Sequence, residues 1–250
     1  QFKAENYWAE RIIAQLEYGY QLSKVDGNAY DDLLASVVDY LLTQQKEAGT
    51  ITRAAAEEAE NRLRELSQRA KSYRLICVAH AHIDMNWMWR WDETVAITLD
   101  TFRTMLDLME EYPYFKFSQS QASVYKIVED YAPHMLDEIR RRVKEARWEV
   151  TASTWVETDK NMPSGESLIR HYLYSKKYLW EKFGLGEDGM LVDFEPDTFG
   201  HNENVPEILS TAGIKYYYHC RGLQDDLTLY RYKCPSGAEL LMYKEPYWYN

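Results

Sequence analysis

Leu75-Ile76-Cys77-Val78-Ala79-His80-Ala81-His82-Ile83-Asp84 reads as a short apolar strand that runs straight into metal-ligand side chains. Leu75 to Ala79 has the length and apolar continuity of a strand covered on both faces. Side chains alternate along an extended chain, so His80, His82 and Asp84 would share one face. Imidazole nitrogen and carboxylate oxygen both bind zinc at about 2.0–2.2 Å. A single histidine at a strand end is usually a satisfied core residue. An H-x-H-x-D run closing a buried strand favours a metal site.

Outward from this stretch the rhythm is strand, helix, strand, helix. Residues 92–111 have the period of an amphipathic helix stopped at Pro113, and Phe115-Lys116-Phe117-Ser118 is strand-like. A helix is expected over 122–146, and a third strand at Trp148-Glu149-Val150-Thr151-Ala152. Ser164-Gly165-Glu166-Ser167 opens a helix to about Phe183, and Met190-Leu191-Val192-Asp193-Phe194 makes a fourth strand. Residues 204–212 form a short helix, and Tyr216-Tyr217-Tyr218-His219-Cys220 a fifth strand. The expectation is an α/β fold, a parallel β/α sheet or partial barrel. Ligands are then expected at the carboxyl ends of the strands. The polar candidates fall there: His80, His82 and Asp84 after the first strand, Thr154 to Asp159 after the third, Asp197 after the fourth, and Arg221 after the fifth. Leu227 to Tyr232 and Ala238 to Tyr243 flank Pro235-Ser236-Gly237, a hairpin pattern.

Residues 1–72 read differently. Helical spacing runs throughout, broken at Asp26-Gly27-Asn28 and Gly49-Thr50, with no ligand cluster. This region is expected to be a separate helical unit, and 73–250 the catalytic β/α portion.

Composition narrows the classes. A hydrophobic fraction of 46% suffices for one large core plus a small helical unit. The net charge of −11 argues against a nucleic-acid partner, which needs a basic surface. Three cysteines form no disulfide framework and fit a reducing compartment, so a cytoplasmic location is expected. No apolar stretch reaches the roughly 18 residues of a membrane span, and the N-terminus has no signal-peptide pattern.

Asp197, in Glu195-Pro196-Asp197-Thr198-Phe199-Gly200-His201, could simply cap a turn. Asp193 and Glu195 precede it on the same strand face. Three carboxylates together repel unless a cation neutralises them, and a metal would do so. Trp87, Trp89 and Trp91 alternate and could line one wall, with one of them as a sugar platform and the others in the core.

Three segments carry a specific resemblance. Ala81-His82-Ile83-Asp84-Met85-Asn86-Trp87-Met88-Trp89, Trp155-Val156-Glu157-Thr158-Asp159-Lys160-Asn161-Met162-Pro163-Ser164-Gly165-Glu166-Ser167 and Pro196-Asp197-Thr198-Phe199-Gly200-His201 stand in the order and spacing of glycoside hydrolase family 38 alpha-mannosidases. The chain resembles the vacuolar, cytosolic and bacterial branch more than the Golgi branch, over residues 73–250. The resemblance implies one zinc ion held by His82, Asp84 and Asp197. It implies Asp197 as the nucleophile of a retaining reaction, Trp87 under the sugar at the cleavage point, and Arg221, matched by spacing alone, near the nucleophile. His80 is then read as standing behind the metal, orienting His82 or a neighbouring carboxylate. The family's fourth ligand, a histidine, and its acid/base aspartate have no counterpart here. Beyond the third segment stand only His219, with no motif around it, and Asp225 and Asp226 in a polar turn. The expectation is therefore the N-terminal piece of a longer enzyme, inactive alone and acting on α-mannosides, with homo-oligomerisation left open.

Two other readings stay open at this level. A metal-dependent amidohydrolase or carbohydrate deacetylase also uses H-x-H after a first strand, but needs further histidines at later strand ends. A non-catalytic sugar-binding or assembly module would suit the aromatic content and the helical front, with no reason to align His82, Asp84 and Asp197.

Overall fold

The computed structural model describes residues 2–222, 227–246, 248 and 249. The chain divides into two compact units, Gln1–Cys77 and Val78–Asn250.

The first unit is helical: α1 (Phe2–Val25), α2 (Asp31–Ala48), α3 (Arg53–Arg62), a 3₁₀ turn at Leu63–Leu66, and α4 (Ser67–Ala70). The breaks fall at the glycines. Gly49 sits at φ 73 as a left-handed cap, its N–H bonding the Gln45 carbonyl. Thr52 opens α3 by accepting the Ala55 amide. Ile12, Leu34, Val37, Leu41, Ala56, Ala59, Leu63 and Leu66 form the core of this unit, on one stripe of each helix.

The second unit alternates strands and helices in the order β1 (Ala79–His80), α5 (Trp91–Glu111), β2 (Phe117–Gln119), α6 (Ala122–Tyr131), α7 (Pro133–Lys144), β3 (Trp148–Val150), α8 (Gly165–Phe183), β4 (Val192–Glu195), α9 (Val205–Thr211), β5 (Tyr216–His219), β6 (Leu229–Lys233) and β7 (Glu239–Lys244). One sheet is β1-β2-β3, all parallel. The other is β4-β5-β7-β6, with only β6 antiparallel. The fold is α/β with parallel sheets, as the alternation required. In place of a continuous ladder between β3 and β4, side chains link their ends: Ser153 Oγ bonds Asp193, and Thr154 Oγ1 donates to Glu195 at 3.2 Å. The hairpin of β6 and β7 closes through Cys234 N to Ala238 O at 3.0 Å. Asp225 and Asp226 lie outside the described residues.

Helix faces follow the apolar period. Thr94, Thr98, Phe102, Leu106 and Met109 are the buried stripe of α5. Pro133 at the start of α7 ends the run that was expected to be one helix over 122–146. The core over the first sheet gathers Phe102, Phe117, Tyr125 and Trp148, with Trp148 Nε1 donating to Tyr125 OH at 3.0 Å. A second core, around Leu209, Tyr217, Leu240 and Met242, covers one face of the other sheet.

The opening stretch is shorter as a strand than its apolarity suggests. Leu75, Ile76 and Val78 are exposed, and only Ala79 and His80 pair with β2. The cause lies in the neighbour. Residues Tyr112 to Phe115 form a turn, so β2 begins only at Phe117 and offers no extended backbone to the earlier residues.

Candidate metal centre and active site

β1 ends at His80, and the chain then bends through 85–89. Ile83 turns into the core at 3% exposure, so His82 and Asp84, on either side of it, face away from the core. Asp197 arrives from the turn after β4. The ligand atoms of His82, Asp84 and Asp197 lie within 4.8 Å of one another. His82 Nε2 stands 3.4 Å from Asp84 Oδ1 and 4.0 Å from Asp197 Oδ2. A tetrahedral zinc with ordinary bond lengths keeps its ligand atoms about 3.3–3.6 Å apart. His82 Nε2 is buried and has no hydrogen-bond partner among the described residues. An orphaned imidazole nitrogen facing two carboxylates fits a divalent cation.

Glu157 organises this centre. Its Oε2 lies 3.2 Å from His82 Nδ1, and its Oε1 accepts the Asp197 backbone amide at 2.5 Å. Glu157 thus fixes the imidazole with Nε2 turned toward the cluster and fixes the turn bearing Asp197. Burial pushes the His82 imidazole down, but Glu157, Asp84 and Asp197 outweigh it and hold its pKa above the ordinary value. His80 was expected in that supporting place and does not occupy it. Its Nδ1 meets the Ser118 carbonyl at 3.1 Å and its Nε2 meets Ser120 Oγ at 3.5 Å. Its ring packs on Phe194, and burial pushes its pKa down to about 4. The chain leaves the extended form after His80, so the period-two argument stops there.

Arg221, at the end of β5, donates Nε to Asp197 Oδ1 at 2.5 Å. Asp197 therefore presents one oxygen to a guanidinium and the other to the His82–Asp84 cluster. The guanidinium lies between two rings, 4.8 Å from Phe199 and 4.7 Å from Trp248. Tyr249 was not foreseen. Its ring packs 5.2 Å from His82 and its hydroxyl bonds Asp197; burial first, then Asp197, pushes it up to about 12. No local signal marks Tyr249, because only the fold returns β7 to this edge.

Asp193 and Glu195 do not join the metal cluster. Both are fully buried, and the neutralising cation is Lys160. Lys160 Nζ donates to Glu195 Oε1 at 2.7 Å and to Tyr172 OH at 2.9 Å, and lies 3.4 Å from Asp193. Burial works against the Lys160 charge, but Asp193 and Glu195 hold its pKa above the ordinary value. Burial likewise holds the Glu195 pKa well above the ordinary carboxylate value, with Lys160 opposing that rise. Thr198 Oγ1 and the Thr158 amide complete the donors on Glu195. Glu195 thereby ties the loop of Glu157 to the turn of Asp197. Asp159 is taken up in that loop, accepting the Asn161 and Met162 amides.

Trp87 is 67% exposed and meets Trp89 edge-on at 5.5 Å. Trp89 is pinned, its Nε1 donating to Thr94. The bends at 85–89 leave no flat wall of three rings.

The model of the glycosyl hydrolases family 38 N-terminal domain matches residues 72–230. Alpha-mannosidase G of Dictyostelium discoideum is 36% identical over 58% of this chain, and the match covers 13% of that protein. Alpha-mannosidase 2C1 of Homo sapiens is 34% identical over 55% of this chain, again 13% of the relative. Among solved structures, an alpha-mannosidase from Enterococcus faecalis V583 superposes with a TM-score of 0.63 at 18% identity, covering 69% of this chain and 20% of that one.

Proposed function

The chain belongs to glycosyl hydrolase family 38, and from that premise we propose that it carries the nucleophile and three metal ligands of a zinc-dependent retaining α-mannosidase. The observation that supports this most is the division of Asp197 between Arg221 Nε on one oxygen and the His82–Asp84 side on the other.

His82, Asp84 and Asp197 would hold the zinc, with Glu157 keeping His82 in the tautomer that offers Nε2. When bound, zinc supplies positive charge beside Asp197 and a template for vicinal sugar hydroxyls, which would favour the axial 2-hydroxyl of mannose. Arg221 donates to one Asp197 oxygen and so sets the rotation of its carboxylate. The Asp197 carboxylate attacks the anomeric carbon while the bond to the leaving oxygen breaks. Water then cleaves the mannosyl-aspartate ester and restores Asp197, so two inversions give net retention. The exposed face of Trp87 is the stacking surface for the sugar ring.

Protonation of the leaving oxygen needs a separate acid. The carboxylates beside Asp197 are committed: Glu157 to His82 and a backbone amide, Asp84 to the cluster, Asp159 to its turn. The 250 residues by themselves are thus proposed to hydrolyse α-mannosides poorly. An amidohydrolase reading loses ground, because His201 and His219 bond tyrosines and a backbone carbonyl away from the cluster. The direct test is Asp197→Ala in the natural full-length protein, with nitrophenyl α-mannoside as substrate. Turnover should fall by more than about a thousandfold, and unchanged turnover would remove Asp197 as nucleophile.

A further inference from the structure

Two histidines converge on one carbonyl, that of Arg221. His201 Nε2 lies 2.9 Å from the Arg221 oxygen and His219 Nδ1 lies 2.7 Å from it. A carbonyl oxygen has two lone pairs and no proton, so both nitrogens facing it are N–H donors. The opposite nitrogens each meet a tyrosine hydroxyl: His201 Nδ1 with Tyr217 at 2.8 Å, His219 Nε2 with Tyr230 at 2.6 Å. The tautomers are fixed as a consequence, Nε2–H for His201 and Nδ1–H for His219. Burial pushes the His201 pKa down, consistent with a neutral ring. The rings stand 4.5 Å apart, and His219 and Tyr217 are at 0% and 1% exposure.

The next residue is shaped to admit this arrangement. Gly222 has φ +108, and a Cβ there would lie 2.6 Å from His201 Cδ2. A side chain at 222 would therefore meet both backbone strain and the imidazole.

We propose that His201 and His219 act as a paired clamp on the Arg221 main chain, positioning its guanidinium on Asp197. The clamp fixes the backbone end of the residue, and Phe199 and Trp248 flank its charged end. His201 and His219 touch no reacting atom; they act through Arg221. The proposal deepens the mannosidase reading, because Arg221 matters there as the partner of the nucleophile.

The test exploits the fixed tautomers. A glutamine amide nitrogen reaches where His Nε2 stood, and an asparagine amide nitrogen where His Nδ1 stood. His201→Gln and His219→Asn therefore keep the donor to Arg221; His201→Asn and His219→Gln lose it. The first readout is the Arg221 Nε–H resonance of the 250-residue chain, assigned by its loss in Arg221→Lys. The bond to Asp197 should hold it away from free arginine. The matched variants should keep that position, and the mismatched ones should move it toward free arginine while near-ultraviolet dichroism stays native. An unmoved resonance in all four variants, or equal loss in all four, would overturn the clamp. The second readout is nitrophenyl α-mannoside hydrolysis by the natural full-length protein. The mismatched variants should lower kcat about tenfold with KM nearly unchanged, and the matched ones should restore it. The resonance does not depend on hydrolysis, so failure of the mannosidase reading and failure of the clamp give different results.

Discussion

At the residue scale the centre is a problem of protons and lone pairs. His82 Nε2 is the orphan, and Glu157 on Nδ1 raises the proton affinity of the ring. Without metal, His82 stabilises the fold by holding a proton among carboxylates. That contribution is fully present below the ordinary histidine value of about 6.5 and is lost as pH rises through the higher folded value. Metal binding needs the neutral ring, so zinc affinity should increase through the same window with release of about one proton. Calorimetric titration of zinc at pH 6 and pH 8, in buffers of differing ionisation heat, measures this, and pH-independent affinity would contradict it. His82, Asp84 and Asp197 could be picked out in the sequence because each stands at a strand end in a motif with the right donors, whereas Arg221 was matched by its spacing alone. Glu157 stood in a quoted motif, yet its part depends on a loop that lays one carboxylate across two segments. Tyr249 had no motif at all.

At the element scale, the loop after β3 and the turn after β4 are held together through Glu195 and Lys160 rather than by a backbone ladder. Replacing Lys160 leaves two buried carboxylates without their cation. Lys160→Met should destabilise the second unit by about 3–5 kcal/mol. Thermal unfolding should then shift down by about 2–4 °C for each kcal/mol, and an unchanged midpoint would show that the cluster contributes no net stability. Gly222→Ala belongs to the same scale. Its φ of +108 and the His201 ring predict a loss of about 1–3 kcal/mol, readable in urea unfolding. The helices and the β6–β7 hairpin were legible from period and turn residues. The sequence misled at Leu75 to Val78 and at Asp193 and Glu195. In both cases a distant partner decides: the late start of β2 in the first, and Lys160 in the second.

At the scale of the whole molecule, strand alternation implied a parallel sheet with its ligands at the carboxyl ends, and the centre lies there. It did not reveal that the strands form two sheets, since pairing between β3 and β4 depends on backbone geometry that apolar patterns do not encode. The committed state of the carboxylates around Asp197 predicts that the 250-residue chain alone hydrolyses nitrophenyl α-mannoside only slowly; turnover equal to that of the natural full-length protein would contradict this. The central claim is that Asp197 forms a covalent bond to the sugar. The most direct measurement is to trap that species in the natural full-length protein with an activated fluorinated mannoside and locate it by peptide mass spectrometry. The account predicts one sugar on the peptide containing Asp197, lost in Asp197→Ala. A sugar on another residue, or turnover of the probe with no adduct and inverted configuration, would contradict it.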